Sequence, residues 1–245
     1  MICDFHSHAL FGIDDGAKDK QMAVAMLKKA KSDGVDTVLL TSHCYPENYE
    51  DIDRFIEKRD RICDELACIE GLPNLVKACE IHITRDIARF RNIRKLCIEN
   101  TNYMLVEMPH APWTDKTIDT VYKLNIRGIT PIIAHDERNM HQKLELHNAL
   151  YDLDVLIQVN APSLFKFSDR KKIDKLMRHG LAHVIGSDMH NMTNREPCME
   201  KAHRRIINRY GEECWHYLMR NSEKILNGEE VTYRDFRSFK KKGIF

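Results

Sequence analysis

The sequence lacks a long hydrophobic run: no apolar stretch among its 245 residues approaches the ~20 that a membrane-spanning helix needs. Its first residues, MICDFHSH, also lack the charged region and apolar segment of a signal peptide. We therefore expect no membrane insertion and a cytoplasmic location. An excess of one charge is absent as well, since 38 basic and 37 acidic residues leave a net charge of +1. This balance, and the lack of an aromatic and basic patch, argue against a nucleic-acid partner.

Paired cysteines at metal-binding or redox spacing are lacking too. None of the eight cysteines forms a CxxC pair or a zinc-ribbon pattern, and several lie in apolar strand or helix patterns. We interpret them as free, buried thiols rather than a disulfide framework. A linker rich in Pro, Gly or Ser and an internal repeat are also absent. We therefore predict a single domain over residues 1–245, with a solvated and mobile basic tail at 233–245.

What the sequence does contain is a series of short apolar runs, separated by segments of helical character. Continuous apolar runs are typical of strands that are buried on both faces, and strands alternating with helices predict a parallel sheet. The seven runs are 2–5, 37–40, 75–78, 103–106, 132–134, 155–159 and 183–186. The predicted helices are 19–32, 52–69, 85–98, 116–125, 142–150, 169–179, 199–210 and 212–226.

Six of the seven runs end at, or within a residue or two of, a side chain that can bind a metal. In a βα-barrel, active-site groups lie at the carboxyl ends of the strands, whereas an open doubly wound sheet gathers its site at one switch point. Because these side chains occur around the whole series, we predict a closed or nearly closed barrel with one convergent polymetal site. They are His6, His8, His43, Glu80, Glu107, His135, Asp188 and His190, and Asn160 follows the remaining run.

The strongest local signal is the pair His6 and His8, because residues two apart on a strand point to the same side. Asp188 and His190 repeat this spacing on the last strand, which lies next to the first strand in a barrel. Each of the other positions, taken alone, is a weaker indication of a metal site, since a single histidine or an exposed carboxylate is often structural. Asp14, Asp15 and Gly16 are also consistent with a simple turn.

Several segments together resemble a known family, the PHP (polymerase and histidinol phosphatase) superfamily. They are FHSHALFGIDDG, LTSH, CEI, LVE, IAHDER, QVN and SDMHN, and they resemble most the bacterial PHP-type protein tyrosine phosphatases of capsular and exopolysaccharide operons. The resemblance spans nearly the whole chain in family order. It implies an α/β fold, namely a single-domain, distorted seven-stranded (βα)7 barrel with the metal site at the carboxyl ends of the strands.

The resemblance further implies three divalent ions, with manganese preferred. A mixed oxygen and nitrogen ligand set is compatible with manganese, while Cys44, beside His43, is a departure that would invite iron or zinc. The cluster would keep a net positive charge, which suits a phosphomonoester of charge about −1.5 to −2. The implied ligands are His6, His8, Glu80 and Asp188 for the first ion, Glu80, Glu107 and His135 for the second, and Asp15 (or Asp14), His43 and His190 for the third.

Arg138 and Arg195 match the family's phosphate-binding arginines, so the resemblance implies catalytic and substrate-binding roles for both. The implied reaction is hydrolysis of phosphotyrosine by a metal-bridging hydroxide. The implied substrate is the tyrosine-rich tail of a bacterial kinase that controls capsule synthesis. Aromatic residues on the substrate side are predicted among Phe11, Tyr45, Tyr49 and Trp113, whereas His82 and His110 are interpreted as supporting or surface residues.

Other functions remain open at this stage. A PHP-type small-molecule phosphatase, such as a histidinol-phosphate phosphatase, would use the same ligands. A nuclease or an amidohydrolase would share the paired histidines. A noncatalytic binding module is less favoured, because it would have no obvious use for a complete set of metal ligands. A thiol-based phosphatase needs a cysteine six residues before an arginine, which occurs from Cys79, Cys198 and Cys214, but without the intervening glycine of a phosphate-binding loop.

Overall fold

The computed structural model describes residues 1–48, 52–83 and 87–231. Tyr49, Arg85 and the predicted basic tail at 233–245 lie outside the described residues. The strands are β1 (Cys3–Asp4), β2 (Thr37–Leu40), β3 (His43–Cys44), β4 (Asn74–Lys77), β5 (Glu80–His82), β6 (Tyr103–Glu107), β7 (Thr130–Ile133), β8 (Leu156–Asn160) and β9 (Val184–Gly186). The helices are α1 (Lys20–Ser32), α2 (Asp53–Ala67), α3 (Asp115–Ile126), α4 (Leu144–Tyr151), α5 (Arg170–Arg178), α6 (Met199–Tyr210) and α7 (Glu212–Leu226).

All of these strands pair in parallel, and they form two sheets. One sheet has the order β1-β2-β4 and the other has the order β3-β5-β6-β7-β8-β9. The predicted α/β fold with a parallel sheet is therefore confirmed. The predicted seven strands are nine here, because the runs at 37–44 and 74–82 are each interrupted. Just after β2, the side chain of Thr41 adds to the backbone pairing: Ser7 O accepts from Thr41 N at 2.9 Å and from Thr41 Oγ1 at 3.0 Å, and this Oγ1 accepts from Ser7 N at 2.9 Å.

Backbone hydrogen bonds also connect the two ends of this arrangement. Phe5 N donates to Ile185 O at 3.2 Å, and Asp188 N donates to His6 O at 2.8 Å. His8 N then donates to the carbonyl of Met189 at 2.9 Å. The segments after β1 and β9 therefore lie side by side, as expected for the first and last strands of a curled sheet.

The predicted helix at 85–98 is wrong in its described part. Two short 3-10 helices occupy it instead, at Ile87–Arg89 and Ile93–Leu96. The buried side chains explain the difference, because Ile87, Phe90, Ile93 and Leu96 repeat every three residues. Side chains three apart are eclipsed in a 3-10 helix, whereas they drift around an α-helix. The other seven predicted helices are present within a few residues of their predicted ends, and none in the described part is long and apolar enough to cross a membrane.

On one face of β6 and of β8, an apolar side chain near the start of the strand is followed two residues later by a polar side chain near its end. Leu105 belongs to a buried apolar cluster, and Glu107 follows it two residues later on β6. Leu156 has the same relation to Gln158 on β8. Because side chains two apart face the same way along a strand, the apolar layer fills one end of the curled sheet and the polar groups meet at the other.

Candidate metal centre

The first group of predicted ligands lies in the segments after β1 and β9 and at the first residue of β5, and all its members are buried. His6 Nε2 lies 3.0 Å from His8 Nε2. Glu80 Oε2 lies 3.1 Å from His6 Nε2 and 3.3 Å from His8 Nε2. Asp188 Oδ1 lies 3.6 and 3.4 Å from the same two nitrogens. The four donor atoms therefore face one point.

The second group shares Glu80 with the first. His135 Nε2 lies 2.8 Å from Glu80 Oε1 and 3.7 Å from Glu107 Oε1. His43, which was predicted to bind only the third ion, also faces this group. Its Nδ1 lies 3.0 Å from Glu80 Oε2 and 3.8 Å from Glu107 Oε2. The two ring nitrogens of His43 thus face two neighbouring groups.

The third group is more open to solvent. Asp15 Oδ1 lies 3.4 Å from His190 Nε2 and 3.7 Å from His43 Nε2. His8 completes a set of four residues that could hold an ion, and the side chain of Asp15 is 65% exposed. The structure thus brings all nine predicted ligands into one connected cluster.

Asp14 has a different position from its neighbour Asp15. Its Oδ2 accepts from His8 Nδ1 at 2.7 Å and from the backbone N of His43 at 2.8 Å, and its Oδ1 accepts from Gly16 N at 3.0 Å. A carboxylate on Nδ1 fixes the tautomer of an imidazole and leaves Nε2 free to bind a metal. Asp14 therefore orients His8, while Asp15 faces the cluster.

Two further buried contacts orient the histidines in the same way. Gln158 Oε1 lies 3.2 Å from His6 Nδ1 and accepts from His135 N at 2.7 Å. His190 Nδ1 lies 2.9 Å from the carbonyl of Asp188, to which it donates as the Nδ1–H tautomer. In each case the Nε2 atom is left facing the cluster. The sequence analysis missed Gln158, and a glutamine inside the apolar run 155–159 was the available signal.

The charges in the cluster shift the ionisation of its members. Burial alone would lower the pKa of His8, but hydrogen bonds to Asp14 and Glu80 raise it to about 10. Burial would raise the pKa of Asp188 and of Glu80, but the neighbouring charge of His6 lowers both pKa values. Burial, with the positive charge of His8, lowers the pKa of His190 to about 4. Without a metal, therefore, His8 holds a proton that a bound cation would displace.

Among the buried atoms that lack a hydrogen bond of good geometry with the residues that the structure describes, three face the cluster. They are Glu80 Oε2, His43 Nδ1 and His190 Nε2. Buried polar atoms are usually satisfied, so unsatisfied ones need an explanation. Their arrangement around carboxylate oxygens fits divalent cations, because imidazole and carboxylate are suitable ligands for such ions. Cys44 does not contribute to this set, since its side chain is packed in the hydrophobic core and burial raises the pKa of its thiol.

The two predicted arginines meet at the edge of the cluster. Arg138 Nη2 and Arg195 Nη2 lie 2.5 and 2.8 Å from the same atom, Asp188 Oδ2. Asn160 Nδ2 donates to that oxygen as well, at 2.7 Å. Each guanidinium keeps about a third of its side chain exposed, at 35% and 36%. The arginines are therefore anchored on one side and accessible on the other.

Backbone strain is concentrated at this site. His135 has a φ of 36° and Asp188 has a φ of 54°, and a positive φ is unfavourable for residues with a Cβ. Such strain persists only where the surrounding structure holds it, and it is typical of functional positions. Two predicted ligands are therefore held in orientations that relaxed strands would not give them.

The predicted aromatic and supporting residues differ in their exposure and in whether they lie at the cluster. The ring of Tyr45 lies 5.3 Å from that of His43 and is partly exposed, which places it at the cluster. Trp113 is wrong as a substrate-facing residue, because it is buried with its indole N–H bonded to Pro109 O at 3.0 Å. Phe11 packs partly buried against the core. His82 is half-buried, with its Nδ1 atom 3.5 Å from Glu47 Oε1, and His110 is exposed.

A thiol-based mechanism finds no suitable nucleophile among the three cysteines that lie six residues before an arginine. Burial raises the pKa of Cys79, Cys198 and Cys214 to about 12 in each case. A catalytic thiol needs the opposite shift, because the thiolate is the reactive form. Cys198 directly precedes α6 and Cys214 lies within α7, so neither belongs to a phosphate-wrapping loop.

Comparison with known proteins agrees with this arrangement. The family model described as "Capsular polysaccharide synthesis, CpsB/CapC" matches residues 2–227. The chain belongs to the CpsB/CapC family. The match covers the whole series of strands and every predicted ligand, which confirms the resemblance inferred from the sequence motifs.

Individual relatives in this family are similar over their full length. The chain is 34% identical over 240 residues to CapC of Staphylococcus aureus, a protein assigned as a tyrosine-protein phosphatase, with 94% of this chain and 93% of CapC covered. It is 26% identical over 253 residues to the tyrosine-protein phosphatase YwqE of Bacillus subtilis, with 100% and 99% covered.

A solved structure supports the same fold. It comes from work on YwqE from Bacillus subtilis and CpsB from Streptococcus pneumoniae, described as unique metal-dependent tyrosine phosphatases. The TM-score is 0.84 at 24% identity, and the match covers 96% of this chain and 98% of that chain. At 24% identity, this structural comparison establishes the fold of the present chain and nothing further.

Proposed function

We propose that this CpsB/CapC chain is a metal-dependent protein tyrosine phosphatase. The observation that supports this function is the cluster of imidazole and carboxylate groups with two anchored, partly exposed arginines at its edge. A cationic cluster and forked donors together suit a phosphoryl group, which carries several negative oxygens. Relatives that match this chain over nearly their full length are named tyrosine-protein phosphatases, which favours a protein substrate over histidinol phosphate.

The proposed ligands are His6, His8, Asp15, His43, Glu80, Glu107, His135, Asp188 and His190, for three divalent ions with manganese preferred. Bound ions of this kind supply Lewis-acid charge to phosphoryl oxygens and lower the pKa of water towards neutrality. The protein itself contributes the buried, preset positions of these side chains. Asp14 and Gln158 hold His8 and His6 with their Nε2 atoms towards the centre.

Arg138 and Arg195 are the proposed groups that bind the phosphoryl oxygens. Their exposed N–H groups would donate to the equatorial oxygens as charge moves in the transition state. Their contact with Asp188 limits side-chain motion before substrate binds, which reduces the entropy cost of binding. The phenol of tyrosine has a pKa of about 10 and leaves more easily than an alkoxide, so a dedicated general acid is less necessary.

We also propose that the strands form one distorted seven-stranded barrel. β2 with β3, and β4 with β5, are consecutive pieces of interrupted strands, which reduces nine pieces to seven. The bonds between the segments of β1 and β9, such as Asp188 N to His6 O at 2.8 Å, support closure. A single domain over 1–245 and a cytoplasmic location stay predictions. The proposed partner is a phosphotyrosine protein of capsule synthesis, namely the tail of a bacterial tyrosine kinase.

The deciding experiment compares two substrates with metal-free and metal-loaded protein. We expect turnover of a phosphotyrosine peptide after addition of Mn²⁺, loss of turnover with a chelator, and little turnover of histidinol phosphate. Elemental analysis of the same samples would give the number of bound ions. Activity that survives removal of the metal would contradict the proposal, and a preference for histidinol phosphate would favour the small-molecule alternative.

A further inference from the structure

A cavity of about 510 Å³ opens directly beside the two arginines. Arg138, Asp188 and Arg195 line it, so it is continuous with the proposed phosphoryl site. Its other walls come from the loop after β8 and from the start of α6. These walls include Pro162, Phe165, Lys166, Glu196 and Lys201.

The wall after β8 is fixed to the same element that carries Arg138. Glu137 Oε1 accepts from Ser163 Oγ at 2.7 Å and from Asn160 N at 3.3 Å. Glu137 and Ser163 are both buried, and Glu137 directly precedes Arg138. The distance between this wall and the arginine is therefore set by buried hydrogen bonds, as required for a preorganised binding site.

The lining of the cavity combines apolar and positively charged side chains. Phe165 is 48% exposed, and Pro162 lines the same cavity. Lys166 is exposed and has no ion pair within the described part of the chain. Lys201 pairs with Glu196 at 2.8 Å, but this pair is exposed and worth little. The lining carries four cationic side chains, two arginines and two lysines, against two carboxylates.

From this lining we propose that the cavity selects protein substrates with an acidic residue next to the phosphotyrosine. The phosphoryl group would lie at the arginines, the tyrosyl ring would contact Phe165, and the neighbouring carboxylate would lie at Lys166. A basic residue in the same place would meet like charges, and such repulsion contributes strongly to specificity. This inference rests on the proposed phosphatase function and names the class of protein substrate that this site prefers.

The test uses two phosphotyrosine peptides that differ only in the flanking residues, which are glutamates in one and lysines in the other. With Mn²⁺-loaded wild type we expect kcat/KM to be about fivefold to tenfold higher for the acidic peptide at low salt, and the difference to shrink at high salt. Lys166→Glu should remove or invert this preference. Phe165→Ala should raise KM for both peptides equally, because both contain the tyrosyl ring. Binding of non-hydrolysable phosphonate peptides, measured by fluorescence anisotropy, should show the same ratios.

Lys171→Glu is the matched control, since it makes the same charge change at an exposed position on α5 outside the cavity. It should keep the wild-type ratio between the two peptides. Equal kcat/KM for both peptides with the wild type, or an unchanged ratio in Lys166→Glu, would overturn the role of the cavity. Free phosphotyrosine, which has no flanking residues, separates the two proposals. If the wild type hydrolyses it but does not discriminate between the peptides, only the cavity inference fails.

Discussion

Arg138 and Arg195 share one oxygen of Asp188, although Asp188 is itself a proposed metal ligand. If the arginines act on the phosphoryl group, Arg138→Ala and Arg195→Ala should each lower kcat about 10²-fold or more, because a transition-state donor is lost. Metal content should remain unchanged, since neither arginine is a proposed ligand. Steady-state kinetics with a phosphotyrosine peptide and elemental analysis would measure the two quantities.

Arg204→Ala is a suitable control for the arginines. Arg204 is exposed on α6 and pairs with Glu200 one helical turn away, so its loss should leave kcat within twofold. Loss of metal from Arg138→Ala would show that this arginine acts through Asp188 rather than on the substrate. Wild-type kinetics in both active-site variants would refute the assigned role.

Asp14 and Asp15 are neighbours in sequence, yet the structure gives them separable roles. Asp15→Asn removes a proposed ligand of the third group, so we expect one bound ion fewer per chain. Asp14→Asn keeps an oxygen acceptor for His8 Nδ1 but loses its charge, so we expect about 10- to 100-fold weaker metal binding with the number of sites unchanged. Metal titration followed by elemental analysis would distinguish the two results.

Asp119→Asn tests whether the loss of a carboxylate outside the cluster also changes the number of bound ions or their affinity. Asp119 lies on α3, where its exposed carboxylate pairs with Lys123 at 2.7 Å rather than with a residue of the cluster. Its loss should change neither the number of ions nor their affinity. If Asp14→Asn rather than Asp15→Asn lost an ion, the two assignments would be exchanged.

At the scale of the secondary-structure elements, β9 approaches the segment after β1 so closely that a side chain on it would not fit. A Cβ at Gly186 would lie 2.3 Å from His6 Cβ and 2.6 Å from His6 N. Both are main-chain or near-main-chain atoms that cannot move aside easily. We therefore expect Gly186→Ala to displace His6, to weaken metal binding strongly and to lower activity, measured by metal titration and kinetics.

Gly211→Ala gives a control for the general cost of replacing a glycine. Gly211 lies between α6 and α7 with a φ of 93°, and a Cβ there would meet no atom within 4 Å. Its replacement should cost about 1–3 kcal/mol of stability, because φ 93° with ψ 163° is a conformation that essentially only glycine adopts, with metal affinity unchanged. Equal metal affinity in Gly186→Ala and wild type would show that His6 can shift without consequence.

The elements themselves were largely predictable, because apolar runs and helical periodicity report burial. α6 and α7 have the predicted bounds, and β2 coincides with the predicted run at 37–40. The 3-10 helices near Ile87 and Ile93 were not predicted, since a three-residue repeat of apolar side chains looks helical unless the exact period is examined. The breaks after β2 and β4 were not predicted either, because a local change in backbone pairing leaves no sign in the apolar pattern.

For the whole molecule, the candidate site was more predictable than its surroundings. Parallel strands bring their carboxyl ends together, so histidines and carboxylates after the runs had to converge. What the sequence could not show is which atoms orient them. Gln158 lies inside an apolar run, and no motif there indicates that it contacts His6 and His135, whereas the difference between Asp14 and Asp15 depends on a backbone turn. The wall at Phe165 and Lys166 also depends on tertiary contacts with Glu137.

The stability of the whole molecule should depend on pH and metal together. In the metal-free protein the pKa of His8 is about 10, whereas an unfolded histidine titrates near 6.5. Between these values the folded state binds more protons than the unfolded state, so the stability contributed by His8 is present below about pH 6.5 and is lost as the pH rises towards 10. A bound cation must displace the same proton, so metal affinity should rise over this range.

The increase in Tm on adding Mn²⁺ should therefore be larger at pH 8.5 than at pH 6.5, because the metal-free protein becomes less stable while metal binding becomes stronger. Thermal unfolding with chelator and with saturating Mn²⁺ would measure it, and calorimetry in two buffers of different protonation enthalpy should detect proton release on binding. His216→Gln, at an exposed position on α7, should leave both results unchanged. An increase in Tm that is independent of pH, without proton release, would show that His8 carries no proton for the metal to displace.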